Sequence, residues 1–476
     1  MTLDYVASGC SFARMINKRD GFKQIIVDEL KHLNTTKDYK VSLLFNALTE
    51  SGHGDVFQDY RKESDIYVDS GGLQLGIYGE AKYGNVTDKK KEVYKTQATY
   101  GDYAFIFDDI PIIDTNTAGN STKVNFNSRY FTKTRMQEAA YNTAMNVKEQ
   151  IEVIKRLNSK TKVFLISHGN TPETYAEYTE RIFDHLTLDE SEYIYGLAPS
   201  SAANGSGSLE RFDMIYGIKG YNIPDHIKKH IHFLGLGSPN ALLPFIASPD
   251  YFNFIEKLSF DSTSHTRKYA FSGEICNWDG KPAVLKKHLP VDNAIPYFER
   301  VFEKYKHYFQ RVGIETCREL VEGCTHYSPY NTKKQWEFGR DEEKYKIGQS
   351  LIPALTTFDW IEYFFKQLED LKTQYLPKMT KMNEVINTVE DYTNHRTQLR
   401  DFFKLTSNKV RSDEEISNTD EWNEPNMFGQ NKVEEFIEDD AVESLELKLQ
   451  ETEEIEQEED IDSVLNDIFD DKLWGL

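Results

Sequence analysis

Three aspartates stand where short apolar runs stop. The run Ile66-Tyr67-Val68 ends in Asp69-Ser70-Gly71-Gly72, the run at 103–107 ends in Asp108-Asp109, and Leu258-Ser259-Phe260 ends in Asp261-Ser262. Carboxylates gathered at strand ends suit chemistry at a sugar carbon. One can attack the anomeric centre and carry the sugar as an ester. A second can protonate the departing base and deprotonate the next one, and a third can accept the N–H edge of a heterocycle. Gly71 and Gly72 lack a Cβ, so the chain there can bend sharply and approach a flat ligand. The plainer reading of each motif is a capped strand-to-loop turn, and paired acids settle turns as well as catalyse.

The elements that must position these acids form a regular series. Eight short apolar runs occur at 3–7, 41–45, 66–68, 103–107, 162–166, 193–197, 231–234 and 257–260. Between most of them lie longer polar segments with helical periodicity, clearest over 135–157 and 174–183, with another helix expected over 239–258. Strand and helix alternating eight times in about 260 residues is the count and size of a (β/α)₈ TIM-type barrel. The residues after the runs are polar or glycine: Ser8-Gly9-Cys10, Asn46, Asp69 to Gly72, Asp108-Asp109, Ser167-His168-Gly169, Gly196-Leu197-Ala198, Gly235-Leu236-Gly237 and Asp261. In a barrel those strand ends share one face, and the active site is built there. An open doubly wound sheet is the alternative, with its site at a crevice.

The barrel is expected over 1–290, a helical extension over 291–404 and an acidic tail over 405–476. Aromatic residues at helical spacing over 297–310 and 357–371 read as packing stripes. The net charge of -22 is concentrated at the C-terminus, because residues 401–476 carry 25 Asp and Glu against 6 Lys and Arg. The preceding 400 residues are close to neutral, so the acidity does not exclude a nucleic-acid substrate. The tail has the composition of a disordered segment. Its end, 461–469, would place apolar residues on one helical face, either to dock on a protein partner or as a frayed, solvated terminus. No run of about 18 apolar residues is present, so no membrane span is expected. The first residues do not resemble a signal peptide, and four cysteines at irregular spacing make no disulfide framework. A cytoplasmic protein is expected.

Five motifs in order resemble the tRNA-guanine transglycosylase superfamily. Asp69-Ser70-Gly71-Gly72-Leu73-Gln74 resembles its DSGG-[FY]-Q signature. Phe107-Asp108-Asp109-Ile110-Pro111 is similar to its acidic base-recognition segment, and Gly196-Leu197-Ala198 to its GLA loop. Gly235-Leu236-Gly237-Ser238-Pro239 resembles its G-x-G-x-P turn, and Phe260-Asp261 with Thr266-Arg267 its nucleophile segment. The likeness covers roughly 40–275, and the family's fold is a (β/α)₈ barrel. It implies that Asp261 is the nucleophile and Asp69 the general acid/base, with Asp108 on the guanine-like edge. Ser70, Gly71, Gly72, His168, Gly169, Gly196 and Leu197 would complete the base-binding site. Arg267 would hold the nucleic-acid backbone. The incoming base would be a 7-deazaguanine, such as 7-cyano-7-deazaguanine or the prequeuosine base, and the chemistry would need no cofactor.

Departures from that pattern are informative. His168 stands where the tRNA enzymes carry Gln. The family's C-x-C-x-x-C zinc cluster is absent in that form, although Cys276, Cys317, Cys324 and His326 fall near the right region. Three sulfurs and an imidazole would satisfy a structural zinc, and buried unliganded thiols are the alternative. This mixture resembles the DNA-guanine transglycosylases of phages and bacteria, whose modified DNA escapes host restriction. A duplex substrate would have to extrude its guanine. Further candidates for phosphate contacts are His265, Lys268, Arg129, Lys133 and Arg135, each of which is otherwise a solvated cation. Two alternatives remain beside a DNA enzyme: a tRNA-guanine enzyme with a degraded zinc site, and a non-catalytic partner subunit that positions nucleic acid.

Overall fold

A computed structural model describes residues 1–8, 20–111, 132–169, 171–200, 222–247, 252–262, 291–324 and 351–386. It also describes 211, 214, 215, 218, 274, 275, 283 and 284. The apolar runs become strands β1 (Thr2–Ser8), β2 (Lys40–Asn46), β3 (Ile66–Asp69), β4 (Tyr103–Phe105), β5 (Lys162–Ser167), β6 (Ile194–Pro199), β7 (His230–Phe233) and β8 (Lys257–Ser262). Each pairs in parallel with the next, and β8 closes on β1 through a register that sets Tyr5 opposite Phe260. The result is the expected (β/α)₈ barrel. Most of its strands are buried on both faces and read as apolar runs, whereas β7 (HIHF) and β8 (KLSFDS) alternate polar inward with apolar outward residues.

The outer layer is built from α1 (Asp20–Thr36), α2 (Gly54–Tyr60), α3 (Gly72–Tyr83), α4 (Val86–Tyr100), α5 (Lys133–Arg156), α6 (Pro172–Asp184), α7 (Leu188–Ser191), α8 (Asp225–Lys228) and α9 (Leu243–Ala247). Local chemistry starts several of them. The Thr132 hydroxyl accepts the Arg135 N–H to cap α5. Thr171 and Thr174 form a reciprocal capping box before Pro172 opens α6. The helix expected over 239–258 is not continuous. A 3₁₀ turn at Pro239–Leu242 leads into the five-residue α9. Pro239, Pro244 and Pro249 punctuate that segment, and none of them can donate to a helical ladder.

Among the described residues, three helices follow the barrel: α10 (Val291–Arg311), α11 (Cys317–Cys324) and α12 (Ile352–Ile386). The aromatic stripes do pack, and they pack on the barrel. Tyr5, on the outer face of β1, meets Phe364 edge-on at 5.5 Å, and Tyr39 stacks on Phe365 at 3.6 Å. Tyr305, Phe358 and Phe364 belong to the same buried cluster as the strands. A partly buried ionic group ties these helices to Lys37, the residue after α1. Lys304 bonds Asp359 and, at 2.5 Å, Glu362, while Lys37 reaches Glu362 at 2.7 Å. The tail from 387 onward, with its proposed docking tip, lies outside the described residues.

Inward positions alternate along each strand. On β8 they are Lys257 at the floor, Ser259 in the middle and Asp261 at the mouth, as the contacts of each to inward neighbours show. The floor is an ion pair. Buried Asp4 receives Lys257 at 2.7 Å, the Ser42 hydroxyl at 2.7 Å and the Tyr67 hydroxyl at 3.1 Å. Lys257 also reaches Asp65 at 3.5 Å, and Lys40 holds Asp65 at 2.6 Å. Burial works against the Lys257 ammonium, but Asp4 and Asp65 together outweigh it and raise the lysine's pKa. Lys257→Met strands the Asp4 charge and is expected to destabilise by about 3–5 kcal/mol in denaturant titrations. Lys40→Met, at a half-exposed pair, should cost under about 1 kcal/mol. Adding Asp4→Asn to Lys257→Met should recover part of the loss.

Candidate active site

Asp69 is the last residue of β3. Its Oδ2 accepts the Asn46 amide at 2.9 Å, and the Ser70 and Gly71 N–H groups also point at the carboxylate. The turn that follows depends on Gly71, at φ +70°. A Cβ there would lie 2.5 Å from that of Leu48 and 2.8 Å from Asn46 Oδ1. Ser70 is buried, and its hydroxyl accepts the Gly72 N–H at 3.2 Å, so it shapes the turn. Gly72 opens α3 close to the second acid, since a Cβ on it would stand 3.2 Å from Asp108 Oδ1.

Asp108 follows β4 on extended chain held by the Asn146 amide, which donates to the Phe107 carbonyl at 2.7 Å. Its Oδ2 meets His168 Nε2 at 2.7 Å. His168 is buried beyond the end of β5, edge-on to the Tyr178 ring at 5.5 Å, and its Nδ1 has no hydrogen-bond partner among the described residues. His168 therefore directly contacts the carboxylate that follows β4. Gly169 is also buried, because a Cβ would strike the Tyr175 ring at 2.5 Å.

Asp261 comes from β8, on the side of the mouth opposite β4. Its Oδ1 accepts the Gly235 N–H at 3.0 Å and meets His232 Nε2 at 3.2 Å. Gly235, at φ +65°, presents its N–H through the turn that begins the G-x-G-x-P motif. Asp261 Oδ2 has no hydrogen-bond partner among the described residues. Sequence reasoning missed His232 and gave Asn46 no role. The available signal was a polar residue at the inward position of an apolar strand: His232 in His230-Ile231-His232-Phe233, and Asn46 closing β2.

The three acids converge electrostatically. Burial, then the charge of Asp261, then that of Asp108 push the Asp69 pKa up to about 7, against the pull of the Ser70 and Gly71 N–H groups. Asp69 retains partial access to solvent, as expected for a group sunk in an open mouth. At neutral pH it is poised between acid and base.

Other expected residues take different places. Gly196 and Leu197 lie inside β6 rather than at its rim, paired in register with Phe164 and Leu165 of β5. Their backbone is committed to the ladder, and β6 continues to Pro199, beyond which the Ser200 N–H bonds the Ser167 carbonyl at 2.8 Å. Gly196 is required by close approach, since a Cβ would sit 2.2 Å from the His230 carbonyl oxygen. Arg135 is not an open cation. Its guanidinium grips both oxygens of Asp109, one at 2.9 Å, and Asn142 adds a bond at 2.8 Å. Burial favours neutral Asp109, but the Arg135 bonds prevail and hold its pKa below the ordinary carboxylate value. Lys133 is more exposed, 3.9 Å from Glu177. Arg129, His265, Arg267 and Lys268 lie outside the described residues.

The expected zinc set does not fit the described chain. Cys317 and Cys324 are the two ends of α11, seven residues and therefore roughly 10 Å apart along the helix axis. Two thiolates on one zinc lie under about 5 Å apart. Burial, with Glu299 and Glu303 nearby, pushes the Cys317 thiol up to about 11, away from the thiolate a metal needs. Cys276 and His326 lie outside the described residues.

No family model matches the chain, and no curated protein matches its sequence. Among solved structures, it is similar to D-psicose 3-epimerase with D-tagatose from Clostridium cellulolyticum H10. That match has a TM-score of 0.30 and 10% identity, over 54% of this chain and 84% of that one. It is also similar to N-acetylneuraminate lyase (sialic acid aldolase) from Aliivibrio salmonicida, with a TM-score of 0.28 and 12% identity, over 74% and 97%. Overlaps this partial carry no argument about activity.

The Asp69 proton has a consequence for stability. The folded state binds it more tightly than the unfolded chain, whose carboxyl titrates near 3.9. Stability therefore falls as pH rises from about 4 to about 7, and the loss is complete above that window. Asp69→Asn, which cannot ionise, should melt above wild type at pH 8, with the gap closing toward pH 4. Thermal melts across that range check it.

Proposed function

We propose that the chain is an enzyme, a guanine transglycosylase that exchanges guanine in DNA for a 7-deazaguanine base. The observation that carries this reading is the coupling of Asp69 to both Asp261 and Asp108 in one barrel mouth. Asp261 Oδ2 attacks C1′ of the target nucleotide. The C1′–N9 bond breaks, its electron pair goes to N9, and the Asp69 proton passes to the departing guanine. The sugar is then an ester of Asp261, and Asp69 is ionised. The incoming base loses a proton to Asp69 and attacks C1′. The bond to Asp261 breaks, and both carboxyls return to their starting states. Two displacements retain the anomeric configuration.

The Oδ1 atom of Asp108 faces the same turn as Gly72 and would accept the N–H edge of the base. Oδ2 is already engaged by His168. A near-neutral body preceding the acidic tail is compatible with a polyanionic substrate. DNA is preferred to tRNA on the combination of His168 with the broken zinc pattern. Protection of the modified DNA from restriction would follow from its altered bases.

Labelled guanine offered with DNA and tRNA in one reaction tests the reading. Label should enter DNA, and Asp261→Ala should abolish its entry. The first half-reaction should slow above about pH 7 as Asp69 loses its proton. Label in tRNA alone would make this a tRNA enzyme. Exchange by Asp261→Ala at the wild-type rate would overturn the mechanism. A chain that binds DNA but exchanges nothing and traps no adduct would instead be a partner subunit.

A further inference from the structure

We propose that His232 is a positioning residue for Asp261: with the Gly235 N–H it holds Oδ1, which leaves Oδ2 as the reacting oxygen and steadies the carboxylate when it departs. The inference deepens the proposed function and rests on it. His232 is fully buried inside the barrel, one layer below the mouth. Its ring is packed by Phe105 at 4.6 Å, Tyr67 at 5.7 Å and Phe164 at 5.8 Å, so it cannot swing away. His232 stands opposite Ser259 in the β7–β8 register. Its imidazole therefore spans two successive inward positions of β8, with Nδ1 2.9 Å from Ser259 Oγ and Nε2 3.2 Å from Asp261 Oδ1.

The titratable groups with these contacts to the ring are Asp261 and Tyr67; Ser259 adds a hydroxyl. An ionised carboxylate only accepts, so Nε2 carries the proton that faces it. With a neutral ring, Nδ1 accepts the Ser259 hydroxyl. With a cationic ring, Nδ1 donates to Ser259 Oγ, whose own proton turns to the Ile231 carbonyl 3.3 Å away. Ser259 can thus support the ring in either charge state while the Nε2–H donor stays aimed at Asp261.

In the glycosyl ester, Oδ1 becomes the carbonyl oxygen, still faced by His232 Nε2–H and Gly235 N–H. In the second displacement the C1′–Oδ2 bond breaks and its electron pair returns to the carboxylate. Two fixed donors on Oδ1 stabilise the charge that develops there, as preorganised donors do for a developing oxyanion. Their loss should slow breakdown of the ester more than substrate binding.

Two measurements on the full chain decide the matter. In the exchange assay, His232→Phe should lower kcat by roughly 100-fold with KM little changed, and covalent adduct should accumulate; His232→Gln, which keeps a donor, should recover part of the rate. Nitrogen NMR of the imidazoles reads the contact without catalysis. The His232 Nε2 resonance should be protonated in wild type at neutral pH and should shift in Asp261→Asn, and Ser259→Ala should move Nδ1. Exchange by wild type that His232→Phe matches in kcat at every pH would overturn the proposal. So would an Nε2 resonance indifferent to Asp261→Asn, which remains informative if His232→Phe fails to fold. Absence of exchange by wild type would overturn the proposed function instead, with the NMR contact still standing.

Discussion

Three carboxylates in one partly desolvated mouth cannot all carry full charge at neutral pH. That constraint orders the site. Asp261 and Asp108 each have one oxygen engaged by a buried histidine, whereas Asp69 has an amide and two backbone N–H groups. Burial, and after it repulsion from Asp261 and Asp108, then fall on Asp69, which is pushed up to about 7. The neighbouring carboxylates thereby set Asp69 apart as the group that holds its proton up to about neutral pH.

The barrel makes this arrangement affordable in structural terms by separating its polar layers. At the floor, Asp4, Lys257 and Asp65 form a paired group with Lys40. In the middle, His232 is packed among Tyr67, Phe105 and Phe164, with Ser259 and Asp261 as its polar contacts. At the mouth, Asp69 feels the charges of both Asp261 and Asp108. The helices that follow the barrel seal its outer wall at β1 through Phe364, and Lys37, the residue after α1, is tied to them through Lys304, Asp359 and Glu362. Sequence suggested a helical extension, but its aromatic stripes share the core of the barrel.

Arg135 and Cys317 show where local reading misleads. A basic residue near strand ends looks like a phosphate contact, yet Arg135 meets Asp109, which lies 26 residues earlier in the chain. A cysteine near others looks like a metal ligand, yet Cys317 and Cys324 are separated by two turns of helix. In each case the residue type fits the expected chemistry, and a partner or spacing that emerges only on folding assigns it elsewhere.

The sequence by itself determined the eight strands, because parallel strands buried on both faces read mostly as apolar runs. It also showed which acids end them, because Asp69, Asp108 and Asp261 each follow an apolar run directly. It could not determine which inward residues would touch. His232 and Asp261 are 29 positions apart, and Asp69 and Asp261 lie on strands that are not neighbours. Closure of the barrel alone brings them to one mouth. The pKa of Asp69 and the pinned oxygen of Asp261 are properties of that closure, since distance and dielectric set them and neither is written in local sequence.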